Sequence, residues 1–123
     1  EAEINPYKGT FDLLKATKEI KDAVPGGIFV CTGLTWLEQF GGNVAAGGIR
    51  DGWFDLGGFG RQGFAYPDFA KDLLQDKTMY RNKCCVLCDK CYDLIQIGHC
   101  QTGCVMRDQE VYLPLYKKNV LKK

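Results

Sequence analysis

The sequence predicts an α/β fold over residues 1–76, followed by a cysteine-rich, loop-rich segment over residues 77–123. Three observations point there. Two short apolar runs are each flanked by helical periodicity, glycine pairs punctuate them, and six of the seven cysteines fall between Lys83 and Asp108. The chain of 123 residues is enough for one ordinary domain with a core.

Thr10 to Val24 has helical spacing. Phe11, Leu14, Ile20 and Val24 share a face, Thr10 is placed to cap the N-terminus, and Pro25-Gly26-Gly27 stops the helix. Ile28 to Thr32 is an apolar run ending at Gly33 and reads as a strand buried on both faces. From Leu34 to Arg50 the helical pattern returns, broken at Gly41-Gly42, with Asn43 as a cap for the second piece. Trp53 to Phe59 reads as a second strand and Gly60-Arg61-Gln62-Gly63 as a turn. Tyr66 to Leu74 follows as a short helix with Pro67 in its first turn.

Buried strands joined by helical crossovers imply a parallel sheet with right-handed βαβ connections. Two strands leave edges and faces without partners, so the pattern implies self-association or a larger protein. Beyond Gln75 one helix is expected near Asp89 to Ile97, and a solvated basic tail from Glu110 to Lys123.

The net charge of +1 gives no electrostatic footprint for nucleic acid or a membrane surface. No apolar run approaches the roughly 20 residues that span a bilayer. The N-terminal EAEINPYKGTF has no basic region followed by an apolar one, so no secretory signal is expected. A cytoplasmic location follows, where cysteines stay reduced and available to metal. An odd number of cysteines would also leave a thiol over in any disulfide framework.

The spacing Cys85-x-x-Cys88-x-x-Cys91, followed by Cys100 and Cys104, lets several thiolates converge on one metal centre. Spacing alone leaves an iron–sulfur cluster and zinc both open. For zinc, Cys85 and Cys88 would join Cys100 and Cys104, with His99 as an adjacent alternative ligand. The two strand ends, Cys31 to Leu34 and Gly58 to Arg61, pair glycine with the start of a helix, a setting that can cradle phosphate. Arg61 could add a charge-assisted contact. The plainer readings are a tight turn at each glycine, a loop position for His99, core packing for Trp36, Trp53, Phe54, Phe59 and Phe64, and an inert buried thiol for Cys31. No residues are grouped for acid–base or nucleophilic catalysis.

Together, GIFVCTGLTWLEQF, GWFDLGGFGRQGFAYPDFAKDLL and KCCVLCDKCYDL…TGC resemble the NADH:flavin oxidoreductases of the old yellow enzyme family, in the iron–sulfur branch similar to 2,4-dienoyl-CoA reductase. The resemblance runs from about Pro6 to Asp108. It implies the last βα units of a (β/α)8 TIM barrel that binds FMN, followed by a 4Fe–4S segment. Thr32, Gly33 and Leu34 would match one FMN phosphate loop, and Phe59, Gly60 and Arg61 the other. Cys85, Cys88, Cys91 and Cys104 would be the cluster ligands. The third cysteine comes after two residues where the family's commoner pattern has three, and Cys84 and Cys100 are additional thiols. The family's earlier strands and catalytic residues have no counterpart here. On this reading the chain is a C-terminal part, inactive alone, whose partners are the remainder of the barrel and NAD(P)H in the intact enzyme. A zinc-stabilised interaction module and a small iron–sulfur electron carrier are the rival functions.

Overall fold

Asn5 opens the first helix, α1 (Pro6–Ala23), by accepting hydrogen bonds from the N–H groups of Tyr7 (2.9 Å) and Lys8 (3.4 Å). Pro6 takes the first turn, where its missing N–H costs nothing. The helix thus starts four residues before the expected cap, and Thr10 lies buried within it. Leu14 is the buried residue of the expected apolar face, while Phe11, Ile20 and Val24 remain exposed. The computed structural model describes residues 5–122. Residues 1–4, which begin the N-terminal stretch considered above, and Lys123 of the basic tail lie outside it.

Strands β1 (Val30–Cys31) and β2 (Leu56–Gly57) run parallel, pairing Val30 with Leu56 and Cys31 with Gly57. Asp55 fastens them to α1. One of its carboxylate oxygens accepts the Phe29 N–H at 2.9 Å, and the other pairs with Lys21. Between the strands, a 3₁₀ segment (Leu34–Phe40) leads into α2 (Gly41–Arg50). Gly41-Gly42 therefore begins the second helix instead of interrupting it, and Asn43 sits inside. Glycine is required at 48 by close approach, since a Cβ there would overlap the Phe54 ring. Leu14, Cys31, Leu34, Ala45 and Phe54 make the first core.

The expectation of barrel units is corrected here. Among the described residues 58% are helical, and the sheet is two strands of two residues each. This is a small, mostly helical domain and not a fragment of a TIM barrel. Val30 is 51% and Leu56 53% exposed, so neither strand is buried on both faces as expected. The physical reason lies in Gly57 and Gly58, which give the second run little side chain to pack and weaken its hold on extended structure.

Residues 60–63 also differ from the expected turn, because α3 (Arg61–Ala65) begins there. Next comes α4 (Phe69–Asp76), with Tyr66 and Pro67 preceding it. Tyr66, Met79 and Cys84 form a second core with Phe59, Phe69 and Leu73 around it. The buried Tyr66 hydroxyl donates to Asp72, which also accepts from Lys83 at 2.8 Å. The ammonium of Lys83 lies over the rings of Tyr66 and Tyr80. This network ties the start of the cysteine segment to α4.

In the second half, α5 (Lys90–Gln96) occupies nearly the expected span. The tail is helical where a solvated extension was expected: α6 (Gln109–Tyr116) runs into a π-helical turn, Lys117–Leu121. Tyr116 donates to Asp93 at 3.0 Å and packs its ring beneath Lys90, which holds α6 against α5. Among the described residues no helix is long and apolar enough to cross a membrane.

Candidate thiol centre and strand-end groove

The loop from Cys85 to Cys91 winds tightly because two residues other than glycine take left-handed conformations. Leu87 (φ 58°) and Asp89 (φ 55°) flank Cys88. Each such residue costs about 1–2 kcal/mol and persists where its surroundings hold it. The winding brings Cys85, Cys88 and Cys91 to one hollow, which Cys104 closes from the far side together with Arg61, Phe64 and Val105. Cys85 and Cys104 pack with Ala65 of α3 as a third small core.

Several contacts hold Cys85, Cys91, Cys104 and the neighbouring Cys84 in place, while Cys88 is exposed. Thr102 donates to the Cys91 carbonyl at 2.5 Å, linking α5 to the segment before Cys104. The Asp108 N–H donates to the Cys104 carbonyl at 2.9 Å. Arg107 donates twice to the Cys84 carbonyl, at 2.8 and 3.2 Å. The Leu87 N–H reaches the Cys85 sulfur at 3.4 Å.

Burial pushes the Cys85 and Cys91 thiols above their usual pKa. Backbone N–H groups of Leu87 and Tyr92 oppose that push, as does the positive charge of Arg61. The sulfurs also feel one another. Cys104 and Cys88 discourage ionisation of Cys85, and Cys85 and Cys104 discourage that of Cys91. A bound metal reverses this balance by holding thiolates.

The other cysteines point elsewhere. Cys84 is buried beside Tyr66 and Met79, and its thiol faces the Tyr80 carbonyl at 3.4 Å. Cys100 faces the Leu94 carbonyl at 3.6 Å, at the end of α5. Cys31 is buried in β1 near Thr17. His99 is exposed. The zinc set built on Cys100 is thus not the set gathered by the fold. All seven cysteines are unpaired thiols.

Among the described residues, no group of three or more His, Cys, Asp and Glu side chains is arranged to hold a metal ion. The hollow measures about 10 Å³, roughly the room that one water molecule needs. Tetrahedral zinc would need its sulfurs drawn to roughly 3.8 Å of one another. An iron–sulfur cluster is itself a larger body, and four soft thiolates match its ligand number and chemistry. Four thiolates match zinc as well as a cluster in number and chemistry, and the hollow as folded has room for neither without movement of the loop around Cys88.

The two strand ends meet beside this hollow. Thr32, Gly33, Phe59, Gly60 and Arg61 line a groove of about 470 Å³, with Thr35, Trp36 and Gly58 completing it. Gly33 needs its glycine because its φ of 85° is left-handed, a conformation that side-chain-bearing residues rarely adopt. A Cβ on Gly60 would meet nothing, so the floor is open at that point. Leu34 does not line the groove; its side chain is fully buried in the first core. The helices after the strands are a 3₁₀ segment and the five residues of α3, too short to supply much helix dipole. Arg61 is already engaged, paired with Asp89 and lying over the Trp36 ring at 5.4 Å. It is also the residue shared by the groove and the thiol hollow. Phe64, expected in the core, is largely exposed at the rim of the hollow.

Sequence reasoning missed Gln62 and Arg107. Both act on the backbone of the Cys84-Cys85 pair, and neither has a sequence signal that separates it from a surface polar residue. No family model, curated protein or solved structure matches the chain.

Proposed function

We propose that this chain is an iron–sulfur-binding component of an FMN-dependent NADH:flavin oxidoreductase. One observation carries the reading: Cys85, Cys88, Cys91 and Cys104 surround a hollow that shares Arg61 with the strand-end groove. The resemblance of the sequence to the iron–sulfur branch of that family supports it.

When bound, FMN supplies hydride acceptance from NAD(P)H, and a 4Fe–4S cluster supplies single-electron transfer. The chain's own residues bind and orient. Thr32 and the backbone at Gly33 and Gly60 offer donors to the phosphate end of the flavin, where the absence of a side chain at Gly60 lets a ligand come close. Arg61 spans the two sites and places positive charge between anionic ligands. Phe64 and Val105 shield the thiols from water on one side. No residue of the chain is assigned a catalytic proton transfer, and the remaining flavin contacts and the acceptor site belong to further polypeptide. Seven free thiols suit a reducing compartment, and the cytoplasm is the proposed location.

Iron, sulfide and zinc analysis with a visible spectrum, on the full chain purified without oxygen, tests the reading. About four irons per chain with a broad brown absorption are expected for one 4Fe–4S cluster. One zinc with no colour, or no metal after reconstitution with iron and sulfide, would overturn it.

A further inference from the structure

Between α1, the 3₁₀ segment, α2 and the residues before β2 lies a cavity of about 370 Å³. None of its lining residues belongs to the thiol hollow or the strand-end groove. Close-packed interiors leave few voids larger than a water molecule, and pockets for small molecules run from about 300 to 1,000 Å³. Thr10 and Phe54 are buried members of the wall, while Tyr7 and Phe11 are more than half exposed. Trp53 tilts against Phe11, with ring centroids 6.3 Å apart. Four aromatic side chains thus line one small space. The polar groups beside them are few. Asp51 is the single charged residue of the described lining, and no lysine, arginine or histidine joins it. The Thr10 hydroxyl makes no hydrogen bond to a described residue, although Thr10 is only 4% exposed. Asp51 accepts from Arg50 at 2.8 and 3.3 Å, but that pair is exposed and formed by adjacent residues. Such pairs are worth little, and a carboxylate has further lone pairs to offer.

We infer that this cavity binds an arylalkyl ammonium ion, a small organic cation with an aromatic body. The aromatic body is matched by the apolar wall. The cation is matched twice, by the negative faces of the rings and by the Asp51 carboxylate. The three N–H donors of a primary ammonium have acceptors on the wall in that carboxylate and in the Thr10 hydroxyl oxygen. An anion of the same shape meets a like charge and no basic partner. A neutral analogue keeps the apolar contacts and loses the electrostatic ones. This charge complementarity separates an organic cation from an apolar peptide segment or a second copy of the chain as the occupant. The inference stands apart from the metal reading, since the two sites share no residue.

The test titrates the full chain with three probes of one shape: phenethylammonium, 2-phenylethanol and phenylacetate. Binding is read by NMR from the indole N–H resonances of the two tryptophans. Trp53 lines the cavity and Trp36 lines the strand-end groove, so the first resonance should move and the second should stay. Phenethylammonium is expected to bind about 3–30-fold tighter than 2-phenylethanol, and phenylacetate weakest. Trp53→Leu, followed by calorimetry, should remove most of the preference for the cation while keeping binding of the alcohol. Asp51→Asn should reduce the preference about 2–5-fold, and this exposed substitution decides the matter if Trp53→Leu fails to fold. Equal affinities for the three probes would reduce the cavity to an apolar cleft and overturn the inference, as would an unchanged preference in folded Asp51→Asn. No shift at Trp53 would overturn it too, whether light scattering shows a monomer or a second copy seated over the cavity. None of these outcomes bears on the iron and zinc analysis.

Discussion

Gly103→Ala probes how firmly the C-terminal helix is packed against the thiol centre. Gly103 is buried and immediately precedes Cys104. A Cβ at 103 would lie 2.7 Å from Cε1 of Tyr112 and closer still to Cε2 and Cζ. Carbon atoms make contact at about 3.5 Å, so the overlap is at least about 0.8 Å. Tyr112 is half-buried on α6, so relief requires swinging the ring out, shifting α6, or moving the backbone at Cys104. Overpacking of this kind typically costs about 1–3 kcal/mol. With a urea slope of about 2 kcal/mol/M for a domain of this size, the midpoint should fall by about 0.5–1.5 M. A double-mutant cycle with Tyr112→Ala isolates the cause. If ring and Cβ collide, the double variant should be more stable than the sum of the singles by about 1 kcal/mol or more. An unchanged midpoint for Gly103→Ala, or a cycle that closes within about 0.5 kcal/mol, would refute the packing of α6 on Gly103.

Cys104→Ser should abolish most iron uptake, whereas Cys100→Ser should leave it near wild type, because Cys100 faces the Leu94 carbonyl and not the hollow; equal losses in iron assays of the two would count against the assigned set. Asp72 has its pKa lowered, chiefly by Lys83 and then by Tyr66. Its depressed pKa contributes stability that is present above the unfolded carboxylate value of about 3.9 and is lost as pH falls through the folded value. Wild type should therefore lose stability in acid more steeply than Asp72→Asn in paired urea titrations, and parallel curves would dismiss the network. The exposed apolar face at Val30 and Leu56 should drive association between copies of this chain. Light scattering should show a smaller species for Leu56→Lys than for wild type, and a wild-type monomer at high concentration would be inconsistent with that.

The cysteine spacing was legible because it is a local property: residues two or three apart must meet wherever the loop turns. The parallel pairing of two short strands and the helix α5 were legible for the same reason, through runs of side chains with one period. The C-terminal helix was not. Pro114 lies inside α6 and removes a helix hydrogen bond, so the local signal argued against what packing on α5 stabilises. The stretch 60–63 reads as a turn by its glycines, yet Gln62 has a buried site that α3 must supply.

By itself the sequence determined which thiols are close along the chain, where α1 must stop, and that two apolar runs would pair in parallel. It did not determine how much sheet would form, since the span of a strand depends on what covers its faces. Spacing left the choice among the six clustered sulfurs open, the resemblance singled out Cys85, Cys88, Cys91 and Cys104, and the tertiary structure places those four around one hollow. That placement follows from left-handed turns at Leu87 and Asp89, from Cys100 being spent at the end of α5, and from Gln62 and Arg107 reaching across more than twenty residues to hold Cys84 and Cys85. Contacts that distant leave no period in the sequence, because each is made once and by residues whose types are common everywhere else.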